Sequence, residues 1–391
     1  MIIIPLQIMQ RFSLRLGLCA VPSVIALSLL GCSDREIALR DSSQFGASGQ
    51  TLTGDVALSI VSEFTAAIGD EGDGTVNEQA RIWMDGKGRY LVTSPQSRGI
   101  IKVFDHDGRY LRTFGVNGSG PGEYAGPVGF TQDAPGLFTV FDAFQMRATQ
   151  LTDNFEVVNT TLTQTPPQGG AYVRLGDGKL FAAFVSRDMR LFGYPLHLLS
   201  PDGTKIIRSF GEEPDEEIRY GNTLSLARVI SQVAPDGTVW SAPVNRYLLQ
   251  QWNQGGELVS TIERSVDWFP PWESQGIARE VRPKPVVVAV DQDVEGRLWI
   301  YLQVADLNWQ PMPPARTTPG GHTYTSDAQR NALFDTMVEV IDPASQEVLA
   351  SARLEESPIG LAAPGILYSY TEDEFGHPRY ILRRVRLVSA N

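Results

Sequence analysis

The chain has 391 residues, which is enough for one large repeat domain or two ordinary domains. Its 45 acidic and 33 basic residues give a formal net charge of −12, which argues against binding to nucleic acid or, through charge, to an anionic membrane surface. Hydrophobic residues make up 42% of the chain, which is typical of a globular protein with a buried core.

The first 31 residues have the pattern of a secretory signal. Met9–Arg15 is a basic segment, and Leu16–Leu30 is an apolar segment too short to span a membrane comfortably. The apolar segment runs into Leu29–Cys32, which resembles a bacterial lipobox. The resemblance implies removal of residues 1–31 and a lipid on Cys32 that anchors the protein to a membrane. The alternative is a plain signal peptide or an anchor helix with an incidental Cys.

Ser33 follows this Cys, at a position where Asp would indicate retention in the inner membrane. By resemblance to such lipoproteins, we expect an outer-membrane anchor that faces the periplasm or the cell surface. Residues 32–55 are polar and rich in Ser and Gly, and they predict a flexible membrane tether spanning about 25 Å. The other Cys, Cys19, lies in the signal segment, so the mature fold is expected to need no disulfide.

Short apolar runs bounded by Gly, Asp-Gly or Pro predict β-strands from residue 56 onward. One more strand is predicted before each group of such runs, for example Pro285–Val290. Asp-Gly pairs such as Asp107-Gly108 suit hairpins that need a positive φ. The strands fall into six sets, which begin with Arg89–Thr93, Leu137–Phe141, Lys179–Phe184, Thr238–Ala242, Arg297–Leu302 and Gly365–Tyr370.

The last set lacks its fourth strand, and the N-terminal segment can supply it. Leu58–Ile68 is apolar and β-prone, and Ile68-Gly69 matches the place of Phe114-Gly115 at the end of the first set. We therefore predict an all-β, six-bladed β-propeller over residues 56–391, whose last blade is closed by the N-terminal strand. A two-domain β-sandwich is the rival architecture.

One repeat carries a family signature. Ile101–Gly115 reads strand, Asp-Gly, strand, Phe-Gly, and it runs into Gly118–Glu123, with the pattern Gly-x-Gly-Pro-Gly-Glu. This resembles the NHL repeat, and it is most similar to six-bladed propellers carried on bacterial lipoproteins. Other copies are degenerate; Phe210–Pro214 keeps only the beginning. Because such propellers include binding scaffolds, sensor domains and enzymes, the resemblance is specific for fold and weak for function.

Long insertions are predicted on one face of the propeller, at Gly211–Arg228, Arg264–Lys284 and Gln303–Leu333. They contain Arg264, Arg279, Arg282 and Arg316 together with aromatic residues of the kind that anchor interfaces. The alternative is that the aromatic residues pack across the blade tops. The predicted partner-binding residues are Tyr220, Trp268, Phe269, Trp272, Trp309 and Tyr324.

Metal and catalytic motifs are not evident in the sequence, so no cofactor is predicted. The four His residues have no ligand spacing; they are His106, His197, His322 and His377. Asp291–Gly296 resembles the opening of a calcium loop, but the twelfth position, Leu302, is apolar. We interpret Asp291–Gly296 as a strand end and its turn. No serine-nucleophile, phosphate-loop or dinucleotide motif is found.

The sequence thus favours non-enzymatic binding of a protein, peptide or glycan through the loop-rich face, without nucleic acid. Replacement of Trp268 and Trp272 by Ala is expected to weaken partner capture and leave the melting temperature nearly unchanged. The alternative function is a propeller enzyme of the lactonase or lyase type, with a calcium or zinc ion near the central axis. A structural envelope protein is a third possibility.

Overall fold

A computed structural model describes residues 58–69, 72–163, 171–186, 188, 190–213, 226–273, 281–311 and 331–389. The signal segment, Cys32 and the tether lie outside these ranges, and their prediction stays a prediction. Within the described ranges, no helix is long and apolar enough to cross a membrane. Nearly all regular structure in these ranges is β-strand, with short 3₁₀ turns at Gly72–Gly74 and Pro95–Ser97.

The strands follow one another along the chain with few interruptions. The first half contains β1 (Leu58–Ile68), β2 (Arg81–Met84), β3 (Tyr90–Thr93), β4 (Ile101–Phe104), β5 (Tyr110–Phe114), β6 (Val116–Asn117), β7 (Glu123–Tyr124), β8 (Pro127–Ala134), β9 (Leu137–Asp142), β10 (Arg147–Thr152), β11 (Val157–Leu162), β12 (Ala171–Arg174), β13 (Leu180–Ala183), β14 (Leu196–Leu199) and β15 (Ile206–Phe210). The second half contains β16 (Arg228–Ile230), β17 (Val239–Pro243), β18 (Leu248–Trp252), β19 (Leu258–Glu263), β20 (Val286–Gln292), β21 (Leu298–Ala305), β22 (Phe334–Ile341), β23 (Val348–Leu354), β24 (Pro358–Ala363), β25 (Ile366–Glu372) and β26 (Pro378–Ser389).

All of these strands except β6 and β7 form six antiparallel four-stranded sheets, which we call blades 1 to 6; β6 and β7 pair in parallel as a separate two-stranded sheet. Blades 1 to 5 consist of β2–β5, β8–β11, β12–β15, β16–β19 and β20–β23, each in sequence order. Blade 6 has the order β24-β25-β26-β1, and β1 pairs with β26 from Leu58 opposite Ser389 to Ile68 opposite Tyr380. The first strands of successive blades contact one another, and β2 contacts β24, so the first strands form an inner ring.

The hydrophobic core lies between neighbouring blades. Six clusters of buried residues each join one blade to the next. Trp252 of blade 4, for example, packs with Phe181 of blade 3, and Tyr301 of blade 5 packs with Leu367 of blade 6. The cluster between blades 6 and 1 includes Ala66 and Ile68 of β1. Each blade therefore buries its apolar side chains against two neighbours rather than against one central core.

Hairpin turns repeat one hydrogen-bond arrangement. A side-chain oxygen accepts the backbone N–H groups two and four residues later, and a Gly with positive φ lies three residues later. In the turn that begins at Asp105, Gly108 has a φ of 85°, as the Asp107-Gly108 pair predicted. The acceptor residues of these turns are Asp85, Asp105, Asn253, Asp293 and Asp373.

The Gly-rich segment Gly118–Glu123 forms the link between blades 1 and 2. The Gly120 N–H donates to the Glu123 carboxylate at 2.7 Å, which closes the link on itself. Gln145 and Arg147 of blade 2 donate to carbonyl oxygens of Gly118 and Gly120. The motif therefore has a structural role in joining two blades.

Strand direction alternates within a blade, so the two ends of the ring carry different connections. We call one end the loop face; it holds the links between blades and the loops between second and third strands. The other end, the turn face, holds the remaining hairpin turns. Among the described residues the loop face comprises 69, 72–80, 94–100, 115–126, 143–146, 163, 184–186, 188, 190–195, 211–213, 226–227, 244–247, 264–273, 281–285, 306–311, 331–333, 355–357 and 373–377.

Candidate functional site

Exposed apolar side chains are distributed unevenly between the two faces. Among the described residues, eight of the fifteen exposed large hydrophobic side chains lie on outermost strands: Phe64, Leu111, Val157, Val158, Leu162, Ile207, Leu258 and Val259. The turn face exposes Val294. The loop face exposes the remaining six: Val116, Phe144, Trp268, Val281, Leu307 and Phe375. The loop face is therefore the more apolar end of the ring, and it is the face on which the sequence places the long insertions.

Trp268 packs against residues of blades 4 and 5 that are held together by hydrogen bonds. Its ring makes edge contacts with Tyr247 and Phe269, with centroid distances of 6.0 Å in both pairs. The Tyr247 hydroxyl donates to the buried Glu339 carboxylate on β22, and Arg264 donates to the same carboxylate. The Arg264 guanidinium also lies 4.9 Å from the centre of the Tyr247 ring. These contacts hold the indole of Trp268 at the surface, where it is 36% exposed.

Phe269 and Trp272 are core residues. Phe269 is 1% exposed and belongs to the cluster between blades 4 and 5. Trp272 is 5% exposed, and its indole N–H donates to the Pro285 carbonyl at 2.7 Å. Packing across the blade tops, the alternative raised by the sequence, therefore describes these two side chains. Burial of Trp272 leads us to expect that replacing it lowers the melting temperature, in contrast to the sequence-based expectation for the Trp268 and Trp272 pair.

The other predicted partner-binding residues divide between described and undescribed parts of the chain. Trp309 is half-buried at the loop face, and its backbone N–H donates to the Asp306 carbonyl at 3.2 Å. Tyr220 and Tyr324 lie outside the described residues, as do Arg279 and Arg316. Of the predicted partner-binding side chains that are described, Trp268 and Trp309 are accessible, and their role in binding stays a prediction.

The described His residues lie far apart and have separate roles. His197 on β14 is buried; it lies 2.9 Å from the Ser209 hydroxyl and 3.1 Å from the Phe184 carbonyl, and burial lowers its pKa to about 4. His106 and His377 are exposed in turns, and His322 lies outside the described ranges. In the described part of the chain, no three His, Cys, Asp or Glu residues converge as metal ligands. Asp293, in the segment that resembled a calcium loop, is the acceptor of a hairpin turn.

A buried charged cluster lies at the loop-face end of blades 3 and 4. Arg228 begins β16, the inner strand of blade 4, and its side chain is 3% exposed. Glu213, in the link from blade 3, is fully buried, and its carboxylate oxygen Oε2 lies 3.8 Å from Arg228 Nη2. The same oxygen accepts from Arg246 Nη2 at 2.5 Å, and the Arg246 side chain is 24% exposed. We call Glu213, Arg228 and Arg246 the arginine cluster.

Sequence reasoning missed the arginine cluster. Its members are separated by up to 33 positions, and nothing in their spacing relates them. The only local signal is a charged residue, Arg228, at the beginning of a strand whose following residues, Val229 and Ile230, are apolar. A charged residue is common at the end of a strand, where its side chain can reach solvent. The position of Arg228 therefore gave no reason to predict that its side chain is buried.

Two further charged groups on inner strands, Arg174 and Asp291, have partners within the described part of the chain. Arg174 on β12 and Asp133 on β8 form an ion pair at 2.7 Å near the turn face. Asp291 on β20 is buried and accepts backbone N–H groups from Gln292 and Gln232, and its burial raises its pKa to about 6. A groove of about 470 Å³ on the turn face is bordered by the Lys87–Asp153 ion pair, at 2.7 Å.

Comparisons with known proteins agree with this architecture. A family model described as a 6-bladed β-propeller, DUF5128, matches residues 76–149. These residues span blade 1 and most of blade 2. No match was found among curated proteins.

Several solved structures share the fold at low sequence identity. A member of the DUF4221 family from Bacteroides vulgatus aligns with a TM-score of 0.57 and 10% identity, over 86% of this chain and 100% of that chain. A putative exported protein from Bacteroides fragilis aligns with a TM-score of 0.54 and 13% identity, over 84% and 96%. A virginiamycin B lyase from Staphylococcus aureus aligns with a lower TM-score of 0.42 and 10% identity, over 83% of this chain and 99% of that chain. At these identities the two Bacteroides structures inform the fold alone, and together with the family model and the six sheets they identify the chain as a six-bladed β-propeller.

Proposed function

We propose that this protein is a non-enzymatic binding propeller, anchored in the bacterial cell envelope by a lipid on Cys32, that captures a polypeptide through its loop face. The observation that carries the binding proposal is the distribution of exposed apolar side chains, of which six lie on the loop face and one on the turn face among the described residues. Apolar side chains that gather on one exposed face mark interaction surfaces, and we propose that these six contribute to such a surface.

The side chains on the loop face are suited to a peptide or protein partner. Phe144, Trp268 and Phe375 are aromatic, and large aromatic anchors supply much of the affinity in protein interfaces. Trp268 is fixed from below by the Tyr247–Glu339–Arg264 contacts, so it loses little conformational entropy when a partner covers it. A ring of this kind presents a preformed surface and needs no large rearrangement to bind.

Affinity capture from envelope extracts tests the binding proposal. The mature protein and a variant carrying Phe144→Ser, Trp268→Ser and Phe375→Ser on the loop face are used as bait. A matched control carries Phe64→Ser, Leu162→Ser and Val294→Ser, which change exposed apolar residues of the outer strands and turn face. We expect the loop-face variant to lose a polypeptide partner that the wild type and the control retain.

Equal recovery of the same polypeptide by all three baits would refute binding through the loop face. Recovery of carbohydrate without polypeptide, detected by glycan analysis of the eluate, would replace the polypeptide by a glycan as the ligand. Reduced capture by both variants would show that the loss is not specific to the loop face.

Anchoring has its own test. In cells fed a labelled fatty acid, we expect the wild-type chain to carry the label and to fractionate with outer membranes. The Cys32→Ala variant should lose the label and appear in the soluble fraction. An unlabelled wild-type chain would exclude lipidation and leave the binding proposal unaffected.

A further inference from the structure

We infer that the arginine cluster is a binding site for a small anionic group, a carboxylate or a phosphate. The inference rests on Glu213, Arg228 and Arg246 and is independent of the polypeptide partner proposed above. It assigns a chemical class of ligand to one position on the loop face, at the mouth of the inner ring between blades 3 and 4.

Charge balance is the first argument. Among the described residues, the guanidinium groups of Arg228 and Arg246 both lie against the Glu213 carboxylate. Both neighbours act on Arg228: Arg246 disfavours its protonated form and Glu213 favours it. Arg246 raises the local positive potential, and burial together with this neighbour lowers the pKa of Arg228 to about 10. These three described residues together carry one excess positive charge, which is costly to bury unless an anion balances it.

Hydrogen bonding is the second argument. The Arg228 side chain is 3% exposed, yet its Nε and Nη1 groups have no hydrogen-bond partner within the described part of the chain. Arg246 Nε is also buried without a partner there. Buried polar groups in folded proteins are nearly always paired, and the planar guanidinium matches carboxylate and phosphate oxygens. The unpaired N–H groups therefore point to a missing acceptor.

The site is fixed in place from both sides. The Glu213 N–H donates to the Gly193 carbonyl of blade 3 at 2.9 Å. The loop that bears Arg246 is held by its neighbour Asn245, whose side-chain amide donates to the Trp272 carbonyl at 2.6 Å. Buried Trp272 thus positions Arg246. The Arg246 side chain is partly exposed and the Arg228 side chain is not, so the site opens to solvent on the Arg246 side.

Other Arg–carboxylate pairs of the described chain do not share these features. Arg174 is paired with Asp133 and also donates to two carbonyl oxygens. Arg383 is paired with Glu356 at 2.9 Å and is 23% exposed, nearly the same exposure as Arg246. Arg383 therefore serves as a matched control for a solvent-accessible, carboxylate-paired arginine.

Thermal unfolding of the mature protein tests the inference with acetate and inorganic phosphate as probes. Sodium chloride at equal ionic strength and uncharged acetamide are the reference solutes. We expect acetate, phosphate or both to raise the melting temperature by about 3 °C once their concentration exceeds the dissociation constant tenfold. Arg246→Gln and Arg228→Met should abolish the rise, and Arg383→Gln should retain it.

The relative effect of the two probes decides whether the site takes a carboxylate or a phosphate. If Arg228→Met fails to fold, Arg246→Gln and the NMR signal of the Arg228 Nε–H group in the wild type decide, because that signal shifts on anion binding. The inference is overturned if neither anion exceeds chloride and acetamide in the wild type. It is also overturned if the rise persists in Arg246→Gln.

Discussion

Glycine at the hairpin turns is required for two different physical reasons. Gly108 and Gly178 both have positive φ, at 85° and 86°, and each follows an Asp. A Cβ atom on Gly108 would lie 2.1 Å from the Ala67 carbonyl oxygen of β1, whereas nothing lies within 4 Å of a Cβ on Gly178. The turn at Gly108 therefore also fixes the approach of blade 1 to blade 6.

The first prediction compares these two glycines. Gly178→Ala should lower the free energy of unfolding by about 1–2 kcal/mol, the cost of a left-handed backbone for a residue with a Cβ. Gly108→Ala adds a backbone clash that no rotamer relieves, so we expect a loss of about 3 kcal/mol or more. Chemical denaturation of both variants measures the difference; equal losses would show that β1 does not constrain this turn.

The second prediction concerns pH and His197. Its pKa is about 4 in the folded protein, against an ordinary value of 6.5, because burial disfavours the charged ring. Above pH 6.5 the ring is neutral in both states and contributes no pH dependence. As the pH falls from 6.5 to 4, the unfolded chain binds a proton that the folded chain does not. Stability is therefore lost in that interval, by up to about 3 kcal/mol.

The His197→Gln variant isolates this effect because Gln retains a donor for the Phe184 carbonyl and an acceptor for the Ser209 hydroxyl. Urea denaturation at a series of pH values should show a steeper loss below pH 6.5 for the wild type than for the variant. Parallel curves would mean that His197 titrates normally in the folded state.

At the scale of elements, segment 264–273 combines two roles within a few residues. Trp272 is buried and ties the segment to Pro285 and Asn245, whereas Trp268 projects from the loop face. The segment thus packs between blades 4 and 5 through Trp272 and exposes the side chain of Trp268 to solvent.

The third prediction separates these roles. Trp272→Ala should lower the free energy of unfolding by about 3–5 kcal/mol, the range for large-to-small changes in a packed core. Trp268→Ala should cost about 1 kcal/mol or less and weaken partner capture. Denaturation and capture are measured on the same two variants. Strong destabilisation by Trp268→Ala would place its role in folding rather than in binding.

Strands were predictable from the sequence because their signals are local. Apolar runs bounded by Asp-Gly and Phe-Gly specify short strands and turns, and the six sets correspond to the six blades. Gly69, Gly115 and Gly211, which directly follow the outermost strands β1, β5 and β15, all adopt positive φ. Strands and turns can be predicted from neighbouring residues alone, because a turn that requires positive φ selects Gly at one position.

The site was less predictable because its determinants are not local. Phe269 and Trp272 lie in a Pro-rich loop, where an aromatic residue is equally suited to a surface anchor or to a small local core. Which role applies depends on blade 5, beginning at Val286, against which the loop packs. The arginine cluster likewise depends on how blades 3 and 4 meet, and charge pairing over that distance leaves no periodic trace in the sequence.

For the whole molecule, the fourth prediction concerns closure of the ring. A chain that begins at residue 57 retains β1, whereas one that begins at residue 70 lacks it and exposes the 12-residue edge of β26. The shorter chain also loses Ile60, Ala66 and Ile68 from two inter-blade clusters. We expect it to unfold at a lower temperature and to aggregate, since an unpaired edge strand recruits other chains.

Size-exclusion chromatography and thermal unfolding compare the two truncated chains. A synthetic peptide covering residues 57–69 should partly restore the monomer to the chain that begins at residue 70. A stable monomer without that peptide would show that the ring does not require β1.

The pairing of β1 with β26 also sets the order in which the protein can be completed. Leu58 pairs with Ser389, 331 positions later in the chain (389 − 58). At translation speeds of about 5–20 residues per second, β1 therefore emerges about 15–70 s before its partner strand exists. During that interval its apolar residues have no native neighbour on that side. Blade 6 can therefore be completed only after β26 has been synthesised, so closure of the ring is the last step in folding of the nascent chain.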